Sequence, residues 1–207
     1  TLEPSSAASD VYKRQEPAVE QVVRQVDFSW CLGDPVVAEL PGEAPFWIVR
    51  RERLDQLLTD QAKQAGAECC AGVTVTDIGR DNDHWSVTAA DGQRWRTRSV
   101  VIADGSASPW PQRLGLGAKR VQTATTMSVR LEGQGRLKNG TTRFEFGLVK
   151  QGFAWAFPVA GGVNIGVGSF IGKQDADPEQ VLSQLLPDLG FPADAGLRQS
   201  GQLRVWN

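Results

Sequence analysis

Alternating large apolar residues constrain the fold most, and they lie between residues 121 and 169. Side chains two positions apart share one face of a strand, so each alternating stretch predicts a half-buried strand. The alternating sets are Phe144 with Phe146 and Leu148, then Phe153 with Trp155 and Phe157, then Val163 with Ile165 and Val167. With a Gly-rich turn before the last set, the pattern predicts an antiparallel sheet with one large aromatic face.

Sequence signals predict three helices in other parts of the chain. Residues 16–26 place valines at helical spacing and predict a short amphipathic helix. A second helix is predicted from Arg51, and Gly66 stands where its C-terminal cap should be. Asp177 and Pro178 favour the start of a third helix, because Asp caps well and Pro suits the first helical position.

Strands are predicted between the second of these helices and the aromatic sheet. Residues 67–76 predict an extended segment, and residues 84–90 predict one arm of a hairpin that turns at Asp91–Gly92. Residues 100–103 are apolar on both faces, as in a buried parallel strand. The chain is therefore predicted to be of the α/β class with mixed α+β character, and to change to antiparallel sheet near residue 118.

Composition excludes several functions. The 207 residues carry 22 basic and 24 acidic side chains, a formal net charge of −2, so no nucleic-acid partner is expected. No run approaches the roughly 18 consecutive apolar residues of a membrane-spanning helix. A single histidine and three cysteines without metal-ligand spacing argue against a metal site. The cysteines are expected to be small buried hydrophobes.

Two positions carry candidate ligand chemistry. Arg51 begins a helix after an apolar run, where a guanidinium suits a phosphate, although a surface arginine is an equal alternative. Asp104 and Gly105 end the predicted buried strand, and ligands of open α/β sheets lie beyond the carboxyl ends of such strands. Gly105 would let the backbone approach a ligand, and Asp104 would accept a hydrogen bond from a hydroxyl group.

The aromatic set before Pro158 has two interpretations. Phe153, Trp155 and Phe157 would line an apolar ligand pocket, or they would pack in the core, which alternation alone favours. No G-x-G-x-x-G follows a strand in this sequence, so no pyrophosphate loop is predicted within it. No residue is convincing as a catalytic acid.

Three segments together resemble a group of FAD-dependent oxidoreductases that includes the aromatic hydroxylases and the geranylgeranyl reductases. They are RERLDQLL over residues 51–58, AGAE over 65–68 and VVIADGSAS over 100–108. The first matches an R-x-x-[FL]-D helix start. The last matches G-A-D-G-x-x-S, with Ile102 where the group usually has Gly.

Residues 153–158, FAWAFP, resemble the Y-x-W-x-F-P segment of geranylgeranyl reductases, with Phe153 in place of Tyr. The NIGVG that follows, residues 164–168, also fits that family. The resemblance implies a partial FAD-binding Rossmann-like domain with a β-hairpin insertion over residues 16–118. It implies an antiparallel-sheet substrate domain over residues 119–207.

The resemblance also implies a function and a set of site residues. FAD would be contacted by Arg51, Val75, Asp104 and Gly105. A prenyl substrate would be contacted by Phe153, Trp155 and Phe157. The implied reaction reduces C=C bonds of a geranylgeranyl or other prenyl group with hydride from a reduced nicotinamide, NADPH, through the flavin.

Two alternatives stay open: a flavin-dependent monooxygenase on the same scaffold, and a catalytically incompetent chain with residual apolar binding. The family's G-x-G-x-x-G unit and its G-D segment would precede residue 16 and follow residue 207, so an interior fragment is expected. Residues 1–15, which include DVYKRQ, are expected to be a non-native library scar or disordered. A cytoplasmic location is expected, with peripheral membrane contact left open.

Overall fold

A computed structural model of the chain describes residues 15–43, 45–116, 122–169 and 177–205. Residues 1–14 of the predicted non-native segment and the predicted boundary at 118/119 lie outside these ranges. The helices described are α1 (Arg51–Gln64), α2 (Trp110–Arg113) and α3 (Pro178–Asp188). The strands described are β1 (Val19–Val23), β2 (Gln25–Trp30), β3 (Gly33–Glu39), β4 (Phe46–Val49), β5 (Val75–Asp81), β6 (His84–Ala89), β7 (Arg94–Thr97), β8 (Gln122–Glu132), β9 (Thr141–Phe146), β10 (Gly152–Val159), β11 (Gly162–Ser169) and β12 (Gln199–Val205).

These strands form three sheets. The largest has seven strands in the order β12-β8-β11-β10-β9-β2-β3, and β1 pairs with β4 in a separate two-stranded ribbon. Neighbours in the large sheet are antiparallel except for β2 and β9, which run parallel. The predicted mixed class and antiparallel sheet are confirmed, and so is the hairpin insertion, which is the three-stranded sheet β5-β6-β7.

The chain divides into two compact units. One takes the described residues up to Leu58 together with those of Gln122–Val205, and the other takes those of Thr59–Val121. The large sheet of the first unit includes β2 and β3, which precede residue 40. The division of the whole protein at residue 118 stays a prediction.

The hydrophobic core of the first unit lies between the large sheet and helix α3. Ala154, Ala156 and Ile165 on the sheet are at most 1% exposed, and the leucines of α3 pack against them. Asp177 caps this helix as predicted, because its Oδ1 accepts a hydrogen bond from the backbone N–H of Glu179 at 3.0 Å. Alanines at the sheet positions leave room for the leucines of the helix.

The helix predicted over residues 16–26 is wrong. Residues 16–18 form a single 3-10 turn, and β1 and the start of β2 follow it. Valine is β-branched and fits a pleated surface at least as well as a helix. Pairing of β1 with β4 and of β2 with β9 buries Val23 and Val26, so tertiary contacts decide against the helical period.

Helix α1 is confirmed, and so is its cap. Gly66 has a φ of +94°, its N–H bonds to the carbonyl of Lys63, and the N–H of Ala67 bonds to the carbonyl of Ala62. This is the Schellman arrangement, which favours glycine at the left-handed position. Of the extended segment predicted over residues 67–76, only the last part forms a strand, because β5 begins at Val75 and the residues before it are irregular, with a turn at 71–72.

Two further expectations are wrong in the described structure. Residues 100–103 form no strand there, and Val101 is 87% exposed. A strand that is apolar on both faces needs a paired neighbour and two covering layers, which the described residues do not provide. The three cysteines are exposed rather than buried: Cys31 lies in the β2–β3 turn, and Cys69 and Cys70 lie in the irregular segment after α1.

A buried charge network stands at one end of the core. Glu145 is fully buried, and it accepts hydrogen bonds from the hydroxyl of Ser29, the backbone N–H of Leu32 at 2.8 Å and the guanidinium of Arg143 at 2.8 Å. Arg143 also bonds to Asp188 at the end of α3, at 2.7 Å. The network joins β2, β9 and α3. Within the described ranges, no helix is long and apolar enough to cross a membrane.

Candidate functional site

A continuous layer of aromatic rings covers part of the face of the large sheet opposite α3. Its members come from β2, β9, β10 and the adjoining strand β4, and neighbouring ring centroids lie 5.4 to 6.4 Å apart. We call this set the aromatic layer: Phe28, Phe46, Phe144, Phe146, Phe153, Trp155 and Phe157.

Strand register explains how residues so far apart in sequence meet. Phe28 on β2 stands opposite Phe144 on β9, which stands opposite Trp155 on β10. Directly opposed residues share a face, so the three rings form one row across the sheet. The predicted substrate residues Phe153, Trp155 and Phe157 all belong to the layer and are each half-buried.

The main core occupies the other face of the sheet and does not include Phe153 or Trp155, while the choice between a ligand wall and core packing stays a prediction. Between the aromatic positions of β10 stand Ala154 and Ala156, at 0% and 1% exposure, and these pack towards α3. Large aromatic groups left partly accessible on a sheet are typical of an apolar ligand wall. Phe157 also packs against a small cluster that includes Val23 and Ile48.

A groove of about 640 Å³ lies within the second unit. Its walls are mostly apolar and come from the start of β5, the segment 100–104 and the residues at the start of α2. Val75 and Asp104, both predicted cofactor residues, line this groove together. Gly105 follows directly and has a φ of +95°, a conformation that glycine adopts without strain.

Arg51 is the first residue of α1. Its guanidinium makes a salt bridge with Asp55 one turn later, Nη2 to Oδ1 at 3.2 Å, and its side chain is 78% exposed. A pair this exposed contributes little to stability, so the guanidinium can exchange Asp55 for a phosphate at low cost. The neighbouring Arg50 is held instead by the nearly buried carboxylate of Glu20, at 3.0 Å.

The structure thus groups five of the predicted site residues into two sets, and Arg51 and Gly105 belong to neither. Val75 and Asp104 share the groove, while the three residues of β10 share the aromatic layer. The sequence prediction missed Phe28 and Phe46 as members of that layer. The alternation of β2, where Val26, Phe28 and Trp30 share one face, was the available signal, but the helical valine period concealed it.

No family model matches the chain. The fold is shared with solved flavoprotein structures. A geranylgeranyl bacteriochlorophyll reductase-like protein of Thermoplasma acidophilum superposes with a TM-score of 0.78 and 17% identity, over 97% of this chain and 54% of that one. A halogenase, PltM, solved with phloroglucinol and FAD, gives a TM-score of 0.67 and 14% identity over 94% of this chain and 46% of that one.

Two curated relatives that match part of the chain are both reductases. A menaquinone reductase of Mycobacterium tuberculosis is 31% identical over 133 residues, which is 58% of this chain and 32% of the relative. A digeranylgeranylglycerophospholipid reductase of Methanococcus vannielii is 24% identical over 141 residues, 65% of this chain and 36% of the relative. The chain spans about a third of the length of these relatives. The predicted resemblance to the geranylgeranyl reductase group of FAD-dependent oxidoreductases is confirmed.

Proposed function

We propose that the whole protein is an FAD-dependent oxidoreductase that reduces C=C bonds of a geranylgeranyl or other prenyl group with hydride from a reduced nicotinamide, NADPH. The aromatic layer carries this proposal, because it offers a half-accessible apolar wall several strands wide. The name of the Methanococcus vannielii relative contains a geranylgeranyl lipid, and this supports the substrate class.

The groove of the second unit fits part of an FAD molecule in size and chemistry. Its volume of about 640 Å³ lies within the roughly 300–1,000 Å³ typical of small-molecule sites. Val75 would provide an apolar wall, and the exposed carboxylate of Asp104 would accept a hydrogen bond from a ribose or ribityl hydroxyl. The motif resemblance alone, and not the groove, supports Arg51 of the first unit as a residue that would pair with a phosphate of the cofactor. When bound, FAD would supply the hydride-transfer chemistry.

The aromatic layer would bind and orient the substrate. A prenyl chain is apolar throughout, so covering it with rings removes hydrocarbon surface from water at about 25 cal/mol per Å². The rings also exclude water from the neighbourhood of the double bond. Trp155 brings no unpaired polar group into this wall, because its Nε1–H donates to Oδ1 of Asn164 at 2.9 Å.

A titration of the purified chain with FAD tests the cofactor assignment. Stoichiometric yellow protein would rule out the incompetent-chain alternative. In the whole protein, Arg51→Ala should weaken FAD binding about tenfold, the effect of losing roughly 1.4 kcal/mol. Arg53→Ala, two residues later on the same exposed helix, is the matched control and should change affinity less than twofold. A colourless chain with no measurable FAD binding would instead support the incompetent-chain alternative.

The reaction itself is tested with the whole protein, NADPH and geranylgeraniol. Reduction adds one H₂ per double bond, which mass spectrometry resolves from the addition of one oxygen atom. Gain of H₂ without peroxide release supports the proposal. Gain of oxygen, or uncoupled peroxide formation, would favour the flavin-dependent monooxygenase.

Peripheral membrane contact is proposed as the route by which such a substrate arrives. Trp30 and Val36, at the end of the aromatic face on the β2–β3 hairpin, are 63% and 64% exposed. Tryptophan is favoured where membrane meets water. Co-sedimentation with phosphatidylcholine vesicles should fall for Trp30→Ser, while Trp85→Ser in the β5-β6-β7 sheet should leave it unchanged.

A further inference from the structure

The indole of Trp155 lies on a platform of two glycines in the neighbouring strand. Trp155 on β10 stands opposite Gly166 on β11. A Cβ atom added to Gly166 would come within 2.3 Å of Cζ2 and 2.5 Å of Cε2 of the indole. At Gly168 an added Cβ would touch Cζ3 at 3.4 Å. The ring therefore extends from its own strand across the surface of the next one.

A hydrogen bond holds the ring in this position. The indole Nε1–H donates to Oδ1 of Asn164 at 2.9 Å, and Asn164 precedes the first glycine by two residues on the same face of β11. Glycine inside a strand ordinarily costs about 0.5–1 kcal/mol and often marks a close approach of another group. Here the approaching group is the indole. We call Asn164, Gly166 and Gly168 the tryptophan seat.

The seat determines how far the aromatic layer reaches across the sheet. Beyond β11 the same row continues on β8 with Ser128 opposite Gly166 and Thr126 opposite Gly168, which are polar side chains. The apolar wall would therefore end at β10 without the seated indole. With it, the wall covers β11 as well and gains one strand spacing, about 4.8 Å.

We propose that Asn164, Gly166 and Gly168 are positioning residues that set the length of prenyl chain the aromatic layer accepts. This inference rests on the proposed function, since it concerns the substrate wall of that site. A long prenyl chain would contact the wall from β2 to β11, while a short chain would be covered by the rings of β9 and β10 alone. Losing the seat would therefore weaken binding of the long chain selectively.

The test compares Asn164→Leu, which removes the acceptor, with Asn164→Asp, which keeps an acceptor oxygen at the same distance from the backbone. Gly166 is left unchanged, because an added Cβ would also meet the backbone carbonyl of Met127 at 2.9 Å and disturb β8. The first measurement is the indole N–H signal of Trp155 in NMR spectra, assigned by its absence in Trp155→Phe. We expect that signal to move upfield in Asn164→Leu and to stay near its original position in Asn164→Asp.

The second measurement is binding of geranylgeraniol and geraniol to each variant. Asn164→Leu should weaken geranylgeraniol binding about tenfold, and geraniol binding less than threefold. In the Trp155→Phe background the same change should have no further effect, because the residue that it positions is already gone. Unchanged signals from the other tryptophans show that Asn164→Leu remains folded.

The outcomes separate the seat from the proposed function. If the whole protein without any substitution binds neither alcohol, the proposed function is overturned, and the length-setting role with it. If both alcohols bind and Asn164→Leu weakens them equally or not at all, the role of the seat is overturned while the proposed function stands. An unmoved Trp155 signal in Asn164→Leu would likewise overturn the seat.

Discussion

Replacing Glu145 by Gln should destabilise the chain strongly, although Glu145 lies outside the candidate site. Its carboxylate is fully buried, and three donors converge on it, from Ser29, Leu32 and Arg143. The amide of Gln could still accept from Leu32, but its NH₂ group would then face donors in place of an acceptor. The variant therefore leaves polar groups unpaired inside the unit.

The expected loss of stability in Glu145→Gln follows from the buried ion pair with Arg143 that the substitution breaks. Removing one partner of a buried ion pair costs about 3–5 kcal/mol. Arg143 would keep its bond to Asp188 at 2.7 Å, so the lower end applies, about 3 kcal/mol. With a urea m-value of about 2 kcal/mol/M, the midpoint of unfolding should fall by about 1.5 M.

The effect should not depend on pH in the neutral range. Burial alone would lower the pKa of Arg143, but its hydrogen bonds to Glu145 and Asp188 and their charges outweigh burial and raise the pKa above its ordinary value. A raised pKa in the folded state gives stability that is present below the unfolded pKa. This stability is lost only as the pH rises through the folded value, which is strongly alkaline for arginine.

Urea unfolding followed by circular dichroism measures the change. Glu132→Gln, at the exposed end of β8, is the matched control and should stay within about 0.5 kcal/mol of the unchanged chain. If Glu145→Gln were no more destabilising than this control, the buried network would not stabilise the contacts among β2, β9 and α3.

Three smaller predictions concern other parts of the chain. Leu182→Ala should cost about 3 kcal/mol in urea unfolding, because Leu182 is fully buried under the sheet, whereas Leu58→Ala, at 43% exposure, should cost less than half of that. Asp177→Ala should cost about 1 kcal/mol by removing the cap of α3, and Asp177→Asn should restore most of it. A thiol reagent should label Cys31, Cys69 and Cys70 without denaturant, and incomplete labelling would show that a thiol is covered.

Local patterns predicted those parts of the fold that local forces decide. Alternation located β9 to β11, and the positions of Gly66 and Asp177 fixed one end of α1 and of α3. The strands β1 and β2 were missed because the four valines of residues 16–26 fit the helical period, and only the pairing of these strands with β4 and β9 decides against a helix. The ion network had no signal in the sequence, since Ser29 and Glu145 lie 116 positions apart.

The candidate site was predictable only where a motif marks it. Phe153, Trp155 and Phe157 stand in a recognisable segment. Phe28 joins the layer through the pairing of β2 with β9, and Phe46 joins it through a ring contact with Phe157, and neither contact can be deduced from the sequence alone. Asn164 and the glycines of β11 lie in the NIGVG segment that resembles the family. Their contact with the indole depends on the pairing of β10 with β11 and could not be deduced from the residues alone.

Alternation defines two faces of a strand but does not say which one the protein covers. On β10 both faces are apolar, with alanines on one and aromatic rings on the other. Helix α3 packs on the alanine face, because small side chains let Leu182 and Leu185 approach the sheet closely and fill the space between the layers. Larger hydrophobic groups would ordinarily be buried first, so leaving the rings half-exposed forgoes stabilisation. A surface that keeps its largest apolar groups accessible in this way is suited to bind something else, and this is why the aromatic layer, rather than the core, carries the functional argument.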